Sequence, residues 1–333
     1  MINTFKKFSS INALLAMILF LVITGCSDNT TDPPKVDESD LLIQYLESAA
    51  GGDYINVIGN NLAPATEVKQ NVTADPTKYF AMDIRDTATF AKGHIAGAVN
   101  VQFKDILNYF KTNDMTKYTK VYMVCYSGQS AAYATGLLRL AGYSNVFSMK
   151  FGMASWHADF SATWKNGIGN GGQSMMSQVA TDKPALGSLP TLSTSKTTGK
   201  EILDARVAQL FIDGFPSIKQ DVLLGGLSNY FVMAYWTLAD YNDPGHLEGA
   251  ACYVPKADLK ISTFLKSIPT NKTIAIYCYT GHTAAYATAF LKVMGYDVKS
   301  ISFGGNALFY DKMVAKGKSA WKDTECLNYE IVK

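Results

Sequence analysis

Short uninterrupted apolar runs alternate along this chain with segments whose apolar positions recur every three or four residues. YFAMDI, AVNV, KVYMVC and NVFSM are of the first kind; DLLIQYLESA, FKDILNYF and SAAYATGLLRLAG are of the second. A continuous apolar run bounded by turn residues predicts a strand covered on both faces, whereas the second spacing predicts a helix. Strands taking turns with helices predict an α/β fold in which helices flank a small parallel sheet. The same succession returns later, with YFVMAY, ACYV, TIAIYC and KSISF as the strands.

The recurrence is close enough to align. CYSGQSAAYATGLLRLAGY, beginning at Cys125, matches CYTGHTAAYATAFLKVMGY, beginning at Cys278, without a gap. The correspondence extends upstream to Phe80 and Phe231 if the second copy carries one extra residue before its Gly-His pair. Self-similarity on this scale predicts two copies of one fold, over residues 37–166 and 199–333. Residues 167–198, rich in Gly, Ser, Thr and Pro and without apolar periodicity, read as the connection between them.

The first residues are of different material. Lys6 and Lys7 precede the run INALLAMILFLVI, and Thr24-Gly25 precede Cys26. That run is short for a bilayer span, and small residues before a cysteine suit a processing enzyme, so residues 1–25 are expected to be a signal peptide. Ile23 to Cys26 resembles a bacterial lipobox, which implies a lipid on Cys26. Residues 26–36 would then be a solvated tether, holding the domains at the extracytoplasmic side of a cell-envelope membrane. The 333 residues carry 30 Lys+Arg against 28 Asp+Glu, so no basic field points to nucleic acid.

Of the remaining cysteines, Cys252 reads as a buried core thiol, with a Cys252–Cys326 bridge left open. No paired CxxC motif suggests a metal, and no cofactor is expected. Cys125 and Cys278 each end a strand and precede a helix, where open α/β sheets bind ligands. The loops Tyr126-Ser127-Gly128-Gln129-Ser130 and Tyr279-Thr280-Gly281-His282-Thr283 each hold a glycine that permits a turn. Inward N–H groups and the helix terminus would stabilise a thiolate, so the Cys125 pKa is expected below the free-thiol value of about 8.5. A protonated His282 is expected to add a charge beside Cys278 near a pH of about 6.5. His94 and His246 sit in Gly-His turns that their side chains could stabilise, and Tyr126 and Tyr279 either wall a pocket or pack.

These features together resemble tandem-domain rhodanese-type sulfurtransferases. The resemblance is carried by Asp83-Ile84-Arg85, by Gly93-His94-Ile95-Ala96-Gly97-Ala98, by the Cys125 loop, and by Gly245 to Ala250 with the Cys278 loop. It implies two rhodanese-like domains in which Cys125 and Cys278 accept a sulfane sulfur from a thiosulfate-like donor. Each cysteine would become a persulfide and pass the sulfur to a thiophilic acceptor such as cyanide or a thiol, a protein acceptor being open as well. It also implies substrate-binding roles for the loop residues and a supporting role for Asp83 and Arg85. Copy two departs by placing Ala234 and Trp236 at those two positions. A phosphatase would need an arginine at the loop's end to grip phosphate, where Ala131 and Ala132 stand. The alternative class is a non-catalytic binding or sulfur-carrier module.

Overall fold

The computed structural model describes residues 37–333 apart from Asp53 and Gly59, so the signal-peptide, tether and Cys26 expectations lie outside the described residues. In copy one the strands are β1 (Leu62–Ala63), β2 (Tyr79–Asp83), β3 (Val99–Asn100), β4 (Lys120–Val124) and β5 (Val146–Met149). All pair in parallel, in the order β1-β5-β4-β2-β3. Copy two repeats the order with β6 (Ser217–Ile218), β7 (Tyr230–Ala234), β8 (Ala251–Cys252), β9 (Thr273–Tyr277) and β10 (Val298–Ile301). The registers correspond: Asp83 pairs with Val124 as Ala234 pairs with Tyr277. In β4 the four residues Val121 to Val124 are fully buried, which is why that strand shows no polar alternation. The first strand of each sheet has two residues, too few to leave a pattern in the sequence.

The copies meet through their repeated helices. These are α2 (Gln129–Leu140) and α4 (His282–Val293), while α1 (Glu38–Leu46) precedes copy one and α3 (Gly199–Asp213) precedes copy two. A Cβ placed on Gly136 of α2 would lie 2.8 Å from the Cβ of Ala289 on α4, its own counterpart. The small residues of SAAYATG and TAAYATA therefore let two helix backbones approach, and both helices are almost wholly buried. Across the same interface the Tyr286 hydroxyl donates to Asn61 O at 2.7 Å and lies 2.7 Å from Ser148 Oγ. Buried residues of both copies belong to one continuous core, and residues 37–333 form one unit.

The segment after each copy crosses to the other. Connecting residues Met176–Ser177 pair antiparallel with His246–Leu247 of copy two, and Thr181 bridges Ala251 on the edge strand β8. In the opposite direction, His94 and Val332 exchange two backbone hydrogen bonds of 2.9 and 3.0 Å. Tyr329 N donates to Trp156 O at 2.7 Å, and Trp156 Nε1 donates to Glu330 O at 2.9 Å. His94 and His246 occupy equivalent turns: each places Nδ1 on a carbonyl, Phe90 O at 3.0 Å and Tyr241 O at 2.9 Å, and stacks on that residue's ring.

The close helix contact gives a stability prediction. Gly136→Val has no room between Ala289 and the Tyr54 hydroxyl, so it should destabilise the protein by about 1–3 kcal/mol, read from urea unfolding. An unchanged midpoint would mean that the helices do not meet there.

Candidate active site

Each cysteine follows its central strand and sits beneath the first turn of its helix. Gly128 has φ +87° and Gly281 φ +79°, the left-handed geometry that turns the loop into the helix. The Cys125 sulfur accepts the N–H of Gly128 at 3.1 Å and of Ala131 at 3.4 Å, and the Cys278 sulfur accepts that of Ala284 at 3.3 Å. The backbone beyond β5 and β10 closes the far side. Met153 N donates to Cys125 O and Gly305 N to Cys278 O, both at 2.8 Å. A side chain at Gly152 or Gly304 would collide with those same carbonyls.

Burial decides the electrostatics. Cys125 is 2% and Cys278 4% exposed. Desolvation pushes both thiols above their ordinary value, and the hydrogen bonds from the loop backbone recover only part of that shift. The expected lowering of the Cys125 pKa is therefore corrected: the sequence displays the donors but not the desolvation that outweighs them. His282 is also corrected. It is fully buried, and desolvation, with the Lys150 charge adding to it, pushes its pKa down to about 3, so it is neutral at physiological pH.

His282 does not turn toward Cys278. Its Nε2 accepts the Phe151 N–H of copy one at 3.1 Å and its Nδ1 lies 2.7 Å from Thr280 Oγ1, which places the ring proton on Nδ1. Gln129, at the same loop position in copy one, mirrors it by accepting the Phe303 N–H of copy two at 2.9 Å. The side chains expected to line the pocket at this position thus reach across the interface. Phe151 and Phe303 escaped the sequence reading, and so did Trp164, whose indole donates to Ser127 O at 3.1 Å. The one signal was a Phe-Gly pair after the last strand of each copy, in KFG and SFG.

Asp83 and Arg85 form a buried ion pair. Arg85 Nη2 lies 2.6 Å from Asp83 Oδ2, Nε lies 2.9 Å from Oδ1, and Nη2 also donates to Gly93 O at 2.7 Å. The guanidinium lies 4.7 Å from the Phe160 ring centroid and 5.9 Å from that of Tyr126. Among the described residues its Nη1 has no hydrogen-bond partner. Tyr126 leans outward, its hydroxyl on Asp86 and Thr89, and that hydrogen bond holds the Asp86 carboxyl down to about 2. In copy two Trp236 fills the place of Arg85 and stacks on Tyr279, with ring centroids 5.1 Å apart. Asn100, which donates to the carbonyls of Asp83 and Arg85, is matched by Cys252, whose sulfur lies 3.8 Å from Trp236 O. Cys252 and Cys326 are both free thiols, so the bridge left open by the sequence is not formed.

Residues 64–159 and 192–308 match the Rhodanese-like domain family. Among similar proteins, the thiosulfate sulfurtransferase GlpE of Pseudomonas fluorescens (strain SBW25) is 34% identical over 86 residues, covering 26% of this chain and 77% of that protein. The thiosulfate sulfurtransferase GlpE of Shewanella oneidensis is 34% identical over 76 residues, covering 23% of this chain and 73% of that protein. Among solved structures, a rhodanese-related protein from Thermoplasma volcanium aligns with TM-score 0.26 and 23% identity over 29% of this chain and 89% of its own. A thiosulfate sulfurtransferase from Pseudomonas aeruginosa aligns with TM-score 0.30 and 16% identity over 86% of this chain and 49% of its own.

With both thiols raised and His282 neutral, alkylation of Cys125 and Cys278 by iodoacetamide should climb by about tenfold per pH unit from about pH 6 to about pH 8. No inflection should appear near about pH 6.5, the ordinary histidine range. Peptide-resolved mass spectrometry reads both; a plateau below neutral pH would show that the loop donors outweigh desolvation.

Proposed function

Because the chain belongs to the rhodanese-like domain family, we propose that it transfers sulfane sulfur from a thiosulfate-like donor to a thiophilic acceptor through a persulfide on Cys125. The observation that carries this reading is the sulfur of Cys125 under two N–H groups at the start of α2. The thiolate attacks the donor's outer sulfur, the donor's S–S bond breaks, and sulfite leaves with the electron pair. An acceptor such as cyanide then attacks the terminal sulfur, and the Cys125 thiolate leaves with the bonding pair. Negative charge leaves the Cys125 sulfur in the first step and returns to it in the second, and the Gly128 and Ala131 N–H groups are fixed dipoles facing it, with no reorganisation required.

Copy one is the better equipped. Beside Tyr126 of its loop lies the Arg85 guanidinium, whose Nη1 has no hydrogen-bond partner among the described residues, a group suited to an anionic donor. In copy two an indole occupies that place. Cys125→Ser should therefore reduce thiosulfate:cyanide transfer by at least about tenfold, and Cys278→Ser by less than about threefold. The opposite ranking would sink the assignment to Cys125. Loading with sulfur but no turnover with cyanide would instead mark a sulfur-carrier module, a reading that the burial of both thiols favours.

We also propose that Cys26 is the acylated first residue of the mature protein, which places the domains at a membrane surface. The full chain should partition into detergent, and Cys26→Ala into buffer, in phase separation. A wild-type protein found in buffer would overturn the anchor.

A further inference from the structure

We propose that His282 is a positioning residue for Cys125, and Gln129 one for Cys278, each acting on the loop of the opposite copy. Two contacts carry the first half. His282 Nε2 accepts the N–H of Phe151. The imidazole lies so close to the Gly128 α-carbon that a side chain at that residue would strike its Nε2. Gly128 is one of the two residues whose N–H reaches the Cys125 sulfur. The second half is its mirror image: Gln129 Oε1 accepts the N–H of Phe303 and would lie 2.6 Å from a Cβ on Gly281.

The phenylalanines show why the contact shapes the loop. Phe151 has φ +63° and Phe303 φ +60°, a left-handed backbone that a bulky residue adopts only when its surroundings compel it. Each is followed by the glycine that packs on its own cysteine's carbonyl. The amide bonded across the interface thus belongs to the strained residue that aims that glycine. Neither acceptor competes for its own cysteine. Both side chains are buried, and His282 is held on its other side by Thr280 and, 6.0 Å between ring centroids, by Trp164.

The proposal deepens the sulfurtransferase reading, on which it rests for what Cys125 does; the test does not need that activity. A buried thiol is alkylated through local opening of its loop, so losing one closing hydrogen bond should raise the rate by about fivefold. In the full chain, His282→Leu keeps the volume and removes the acceptor. Cys125 should then react about fivefold faster with iodoacetamide, peptide by peptide, and His282→Gln, the residue copy one uses there, should return it to within about twofold of wild type. Gln129→Leu should do the same to Cys278. Where leucine prevents folding, as judged by near-ultraviolet circular dichroism, His282→Gln and Gln129→His remain. Each must leave the opposite cysteine within about twofold of its wild-type rate. A Cys125 rate unmoved by His282→Leu, a response confined to Cys278, or no rescue by glutamine overturns the assignment. A chain that transfers no sulfur would still report these rates.

Discussion

The approach of α2 to α4 governs the rest of the molecule. Gly136 and Ala289 leave so little side chain between the helices that the loops feeding them lie side by side, near enough for Gln129 and His282 to reach past one another. Two copies packed at ordinary helix separation, with larger residues between them, would keep each loop to itself. Here the glycine of one loop abuts a side chain of the other, and neither cysteine site is complete within its own repeat.

That frame is closely two-fold, yet the sites it supports are not. Copy one keeps a buried carboxylate and guanidinium beside its loop, while copy two packs Trp236 against Tyr277, Tyr279 and Phe309. A buried ion pair repays its desolvation only through good geometry and full hydrogen bonding, and apolar packing of similar volume serves the fold as well. Stability alone would therefore permit either solution in both copies. The pair in copy one is nearly but not fully satisfied, since among the described residues Arg85 Nη1 has no partner.

The crossing segments lock the arrangement. Because Met176–Ser177 pairs with copy two and Val332 with copy one, neither repeat can be drawn away without breaking backbone hydrogen bonds at the turns of His94 and His246. Those histidines hold the turns through Nδ1, the role their Gly-His context offered.

By itself the sequence determined the elements and their doubling. The apolar runs marked the six sheet strands longer than two residues and the short strands β3 and β8, the repeated phrase marked α2 and α4, and the Cys-Gly spacing marked the two loops, because these depend on local periodicity and turn chemistry. Asp83 and Arg85 were legible only through the resemblance that Asp83-Ile84-Arg85 carries, and their ion pair forms just where β2 ends. What lies opposite a residue has no local signature. The burial that raises the thiols, the neutrality of His282 and the left-handed Phe151 and Phe303 are set by tertiary packing, and the exchange of Gln129 and His282 depends on the second copy pressing against the first. Sequence spacing carries no measure of that distance, and desolvation and hydrogen bonding across an interface are set by it.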